Sequence, residues 1–77
     1  PPESLGLMLH DAEPEVRLQV AERIDPAHLG GLIGDIDWRV RLTVATRAPV
    51  EMLSRMLEDP DEDVSAVVRE RLDVPGE

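Results

Sequence analysis

Apolar side chains return along this chain every 24 residues. Written in rows of that length, Leu5, Leu29 and Leu53 fall in one column, Met8, Leu32 and Met56 in a second, and Leu9, Ile33 and Leu57 in a third. Acids then share two columns, Asp11, Asp35 and Asp59 followed by Glu13, Asp37 and Asp61. The block Val16 to Arg23 returns as Val40 to Arg47 and, with changes, as Val64 to Arg71. Between Leu5 and Ile24, nine of the twenty positions are identical at the +24 shift, without gaps. Three copies at a fixed period denote a repeat protein, with units of about 1–24, 25–48 and 49–72, a tail over 73–77, and the whole of 1–77 as a single repeat domain.

Each row predicts a short element and a longer helix. The short elements are Pro2 to Leu9, Ala27 to Ile33 and Val50 to Glu58. Gly6 and the pair Gly30-Gly31 weaken the first two, because each Gly costs a helix roughly 1 kcal/mol against Ala. They are expected to hold one or two turns of 3₁₀ character. The third has better helix formers and should be a true short helix. The longer helices are predicted at about 14–24, 38–47 and 62–72. Pro14 suits a first helical position, and Asp37 and Asp61 suit N-caps, where a carboxylate accepts an orphan N–H. The inward stripe is Val16, Val20, Ile24, then Val40, Val44, Ala48, then Val64, Val68, Leu72. Leu18, Leu42 and Ala66 lie on another face, so each helix should be covered on two sides. Pro26, Pro49 and Pro75 punctuate the ends. A leucine-rich repeat with a strand per unit is the runner-up, since Leu5 to Leu9 could pass for its strand. The later units lose that alternation and the chain has no Asn for an internal ladder.

Composition narrows the function more than the fold. Seventeen acids face eight bases, every base is Arg, and the net charge is −9. That field repels phosphate backbones and anionic lipid, which argues against nucleic acid and membrane surfaces and favours either a basic protein or peptide partner or simple solubility. There is no Cys, so no disulfide, thiolate metal site or cysteine nucleophile is available. A small domain without disulfides fits a reducing cytoplasm. No apolar run approaches the roughly 20 residues of a membrane helix, and no secretory signal opens the chain. It opens on Pro-Pro without Met, and so reads as processed or as a piece of something longer.

The acidic turn followed by Pro14-Glu15-Val16-Arg17-Leu18, with Val20-Ala21 and Arg23 behind it, resembles the leucine-rich repeat variant family over Leu5 to Leu72. The same Asp-to-Arg spacing is similar to that of HEAT repeats, whose units are longer. The resemblance implies α- and 3₁₀-helices stacked into a right-handed superhelix, an all-α solenoid, with a scaffold or binding role and no reaction. Some relatives carry a Cys-rich iron–sulfur module; with no Cys here, that chemistry does not transfer and no cofactor is expected. The third unit departs from the pattern, with Ser65 and Arg69 where Arg and Ala stood, as suits a terminal unit.

Among individual residues, Arg17 and Arg41, with Arg23, Arg47 and Arg71 beside them, form a ladder. Stacked Arg can read carboxylate or phosphate. The stronger expectation is a structural ladder in which Arg17 and Arg41 reach back to Asp11 and Asp35 and tie each loop to its helix. The acidic loops, above all Asp59 to Asp63, lack the order of ligands a Ca²⁺ loop needs, and capping explains them at less cost. His10 and His28 do not share a column, so neither paired metal ligation nor a catalytic base is expected. No residue reads as catalytic. Trp38 stands where the other units have Pro14 and Glu62, flanked by Ile36 and Arg39, which also break their columns. A Trp beside an Arg on an acidic edge has the composition of an interface hot spot. A local lid over the neighbouring loop is its bland alternative. The sequence therefore supports a non-enzymatic interaction module that binds through this edge. The competing reading is a structural fragment or spacer that self-associates through its ends as a homodimer or belongs to a larger array.

Overall fold

A computed structural model describes residues 9–73, and the first short element, with Leu5, Gly6 and Met8, and Pro75 lie outside them. The described residues form helices and contain no strand, so the second and third units lack the strand that the alternative needs; its candidate in the first unit, Leu5 to Leu9, lies outside the described residues except for Leu9. Helix α1 spans Pro14–Arg23, a 3₁₀ helix spans Pro26–Leu32, and α2 spans Trp38–Arg47. Helix α3, Val50–Leu53, runs directly into a second 3₁₀ helix, Ser54–Met56, and α4 spans Glu62–Leu72.

The long helices start where the sequence provides a stop for the preceding loop. Glu13, Asp37 and Asp61 each occupy the N-cap with extended backbone. Asp37 accepts from the N–H of Arg39, and Asp61 from those of Asp63 and Val64. Glu13 makes no such side-chain bond, and Pro14 opens α1 instead. Helices α1 and α2 end on extended residues, Ile24 and Ala48, whereas α4 ends on Asp73 in the left-handed region (φ 59). Asp tolerates that conformation better than most side chains do.

The short elements owe their 3₁₀ form to which residues must point inward. Leu29 and Leu32 are both buried, as are Leu53 and Met56. Residues three apart eclipse one another in a 3₁₀ turn, so this spacing places both on one line toward the core. The element beginning at Val50 was expected to be one helix through Glu58; instead it tightens at Ser54, which brings Met56 under Leu53.

One apolar cluster results. Val20, Ala21, Ile24, Val40, Val44, Ala45, Ala48, Val64 and Val68 enter it from the long helices, with Leu29, Leu32, Leu53 and Met56 from the short ones. No aromatic side chain takes part, so Leu, Val, Ala, Ile and Met interlock at close range. At the two extremes of the stripe, Val16 and Leu72 are only half-buried. Helix α2 packs against α1 on one side and α4 on the other. The described residues extend over 41 × 20 × 14 Å, a row of helices rather than a ball.

Candidate interaction surface

Each acidic turn is built by its first Asp. The carboxylates of Asp11, Asp35 and Asp59 accept the N–H two residues on, from Glu13, Asp37 and Asp61, at 2.8–2.9 Å. That local bond turns the chain into the helix that follows and spares the backbone an unmet donor. The carboxylates of Asp35 and Asp59 do a second job. Arg17 lays its guanidinium on Asp35 at 2.7 and 3.1 Å, and Arg41 lays its own on Asp59 at 2.8 and 3.4 Å. Both are two-pronged contacts, with side-chain exposures of 5–14%. The hydrogen bond to Asp35 pushes the Arg17 pKa further above its ordinary value.

The reach-back to the same unit exists, but on the backbone. Arg17 donates to the carbonyl of Asp11 and Arg41 to that of Asp35, each at 2.7 Å. The carboxylate partner is the Asp of the next unit, 18 residues on. The pairing inferred from spacing alone is thus corrected. A guanidinium spans both loops because its five donors point in several directions at once. Each of these arginines therefore joins two consecutive units, where a within-unit pair would have joined a loop to its own helix.

A second ladder runs the opposite way at the other end of the helices. Arg47 donates to the carbonyl of Ala21, and Arg71 to those of Ala45 (3.0 Å) and Ala48 (2.6 Å). These carbonyls lie at the C-terminal ends of α1 and α2, where the helix leaves acceptors without an internal partner and the dipole favours a cation. The sequence places Arg47 and Arg71 in one column, but offers no local signal that their acceptors lie in the preceding helix.

The loop edge of the second unit stands apart from these ladders. Ile36 is 91% exposed and Trp38 45% exposed. Their equivalents are Ala12 and Pro60, and Pro14 and Glu62. Arg39, beside Trp38, is held by the carboxylate of Asp37 through bonds of 3.1 and 2.9 Å, with Glu15 at 3.4 Å. That contact lowers the Asp37 carboxyl to about 2, chiefly through the hydrogen bond from the Arg39 side chain, and raises the Arg39 pKa. Two open grooves, of about 460 and 390 Å³, lie on the edge, and Gly34, Asp35 and Ile36 line both. His10 and Arg17 face the first; Arg41, Arg55 and Glu58 face the second. Ile36 thus stands between two neighbouring depressions. His10 and His28 are both exposed. No group of three or more His, Cys, Asp or Glu suited to a metal ion occurs among the described residues, and none of their helices is long and apolar enough to cross a membrane.

Residues 38–61 match the family model described as leucine rich repeat variant. The match runs from Trp38 through the acidic turn to Asp61 and bears out the resemblance read from the repeated block. The family is a non-catalytic repeat fold. No curated protein and no solved structure was found to match the chain.

Proposed function

We propose that the chain is a protein-interaction module, a right-handed solenoid of three 24-residue units that binds a protein or peptide through the edge carrying Ile36, Trp38 and Arg39, without catalysing a reaction. The observation that carries this reading is the exposure of Ile36 at 91% beside a half-exposed Trp38, in the unit whose neighbours carry Ala, Pro and Glu at the same places. Leaving an isoleucine almost wholly in water gains nothing for the fold. Burying it together with an indole against a partner removes a large apolar area from water. Arg39 is already pinned by Asp37, so it would meet a partner at little cost in side-chain entropy. The grooves on either side of Ile36 would receive side chains flanking the contact, and the net charge of −9 favours a basic ligand.

Trp38 is the only Trp and there is no Tyr, so its fluorescence reports this edge alone. The test is to select peptides against the immobilised chain and to titrate the binders while following that emission. Binders should shift the emission and lose at least about tenfold in affinity to Trp38→Ala or Ile36→Ser, one such factor being about 1.4 kcal/mol. Binders indifferent to both substitutions would place the contact elsewhere and end this reading.

A further inference from the structure

We propose that the face of α1 turned away from α2 is a docking surface for a further helical repeat unit, stacked ahead of this one and presenting an arginine to Asp11 and a helix C-terminus to Arg23.

Both ladders have a fixed register. The forward ladder joins Arg17 to Asp35 and Arg41 to Asp59, each 18 residues on. The next member in the opposite direction is Asp11, whose arginine would stand 18 residues earlier, ahead of Pro1. Residues 1–16 contain no Arg or Lys that could take that place. The backward ladder joins Arg47 to the carbonyl of Ala21 and Arg71 to that of Ala45, each 26 residues back. Arg23, the first member, calls in the same register for a carbonyl that also lies ahead of Pro1, and its side chain is exposed. Burial points the same way. Val40 and Val64 are fully buried, whereas Val16 in the same column is half-buried. One face thus combines an anionic, a cationic and an apolar position, arranged as at the two internal joints.

A second copy stacked head to tail does not meet these demands. In α4 the place of Arg17 and Arg41 is taken by Ser65, which is buried and donates its hydroxyl to the carbonyl of Glu62. The outward face carries an exposed Ala66 in the column of Leu18 and Leu42 and an exposed Arg69 in the column of the buried Ala21 and Ala45. It has no arginine in the column that would meet Asp11, and with Arg69 it sets a charge where the joint needs a methyl group. The two ends of the row are chemically unlike, and the array extends by the α1 face.

The test duplicates residues 25–48 directly ahead of Pro1. This sets the copied Arg41 18 residues before Asp11 and the copied Ala45 26 residues before Arg23. The thermal midpoint should rise by at least about 5 °C, because repeat stability sums over neighbouring interfaces. The same duplication after Leu72 should raise it less. Arg23→Ala, and Ser in place of the copied Arg41, should each cost the extended chain more than Arg23→Ala costs the 77-residue chain. No rise, an equal rise from either end, or an equal cost of Arg23→Ala in both lengths would overturn the proposal. Sedimentation of the 77-residue chain adds a check. A monomer is expected, and a symmetric dimer dissociated by Arg23→Ala would assign the face to a second copy instead.

Discussion

Asp35 shows how much a single side chain can hold. It turns its own loop by accepting from Asp37, and it receives the guanidinium of Arg17 from the unit before. Asp35→Ala therefore leaves Arg17 with one partner fewer in a largely buried place, and removing one member of such a pair costs more than the pair itself contributes. The thermal midpoint should fall by about 5–10 °C. Asp35→Asn, which keeps an acceptor for the turn, should lie between. A midpoint unchanged by Asp35→Ala would mean that the two-pronged contact contributes nothing. Arg41 keeps its carboxylate on Asp59 in that variant, so Arg41→Ala in the same background should still destabilise. Asp37 supplies a second residue-scale prediction. Its carboxyl is held at about 2, below the ordinary 3.8, so folding favours its ionised form. The resulting stability is complete above about pH 4 and is lost as pH falls through 2. Asp37→Asn can still cap α2 through its amide oxygen. Between pH 4 and 2 it should lose less stability than the parent chain, as read by denaturant unfolding at each pH. Parallel losses would show that the Arg39 contact does not favour the charged form. Spacing alone made Asp11, Arg17, Asp35 and Arg41 legible as a ladder. It could not tell a carbonyl from a carboxylate, nor the same unit from the next, because a guanidinium on a flexible stem reaches both.

At the scale of elements, the start of each long helix was readable because caps are local chemistry. Asp37 and Asp61 bond the first free N–H groups of α2 and α4, and Pro14 opens α1. The 3₁₀ segments were only partly readable. Glycine and proline signal a weak helix, but the tightening at Ser54 comes from the demand that Leu53 and Met56 point the same way, which is a tertiary requirement. The three starts also differ in a way that can be tested. Glu13 occupies the N-cap with φ −89 and ψ 120, close to the −89 and 121 of Asp37, yet its longer side chain makes no capping bond. Glu13→Asp keeps the charge and shortens the stem by one methylene. It should stabilise the chain by about 0.5–1 kcal/mol by giving α1 the cap that α2 and α4 already have. Denaturant unfolding with an unchanged slope reads that difference directly. A neutral or negative outcome would mean that Pro14, which has no N–H to offer, leaves too little for a cap to satisfy.

Across the whole molecule, contacts run in a line. Helix α2 touches α1 and α4, whereas each end helix has one long neighbour among the described residues. In such a row, stability is close to a sum of units and joints, so the middle unit enters two joints and an end unit one. Val20, Val44 and Val68 occupy one column and are equally buried, which makes them a matched set. Each truncation to Ala removes the same two methyl groups, worth about 2 kcal/mol with the cavity left behind. Their consequences should nevertheless differ. Val44→Ala weakens the unit on which both neighbours lean, so amide exchange should accelerate across α1, α2 and α4 together. Val20→Ala should accelerate exchange mainly in α1, and Val68→Ala mainly in α4, because an end helix can open while the other joint stays closed. If all three variants accelerate exchange uniformly, the chain unfolds as a single block and the row is cooperative beyond its joints. The arginine ladders would be the reason for such a result. Arg17 and Arg47 cross the first joint in opposite directions and Arg41 and Arg71 cross the second, so an opening at either joint breaks bonds at both ends of a helix at once. Repeating Val20→Ala and Val68→Ala with Arg47→Ala or Arg71→Ala added would then restore local opening, helix by helix.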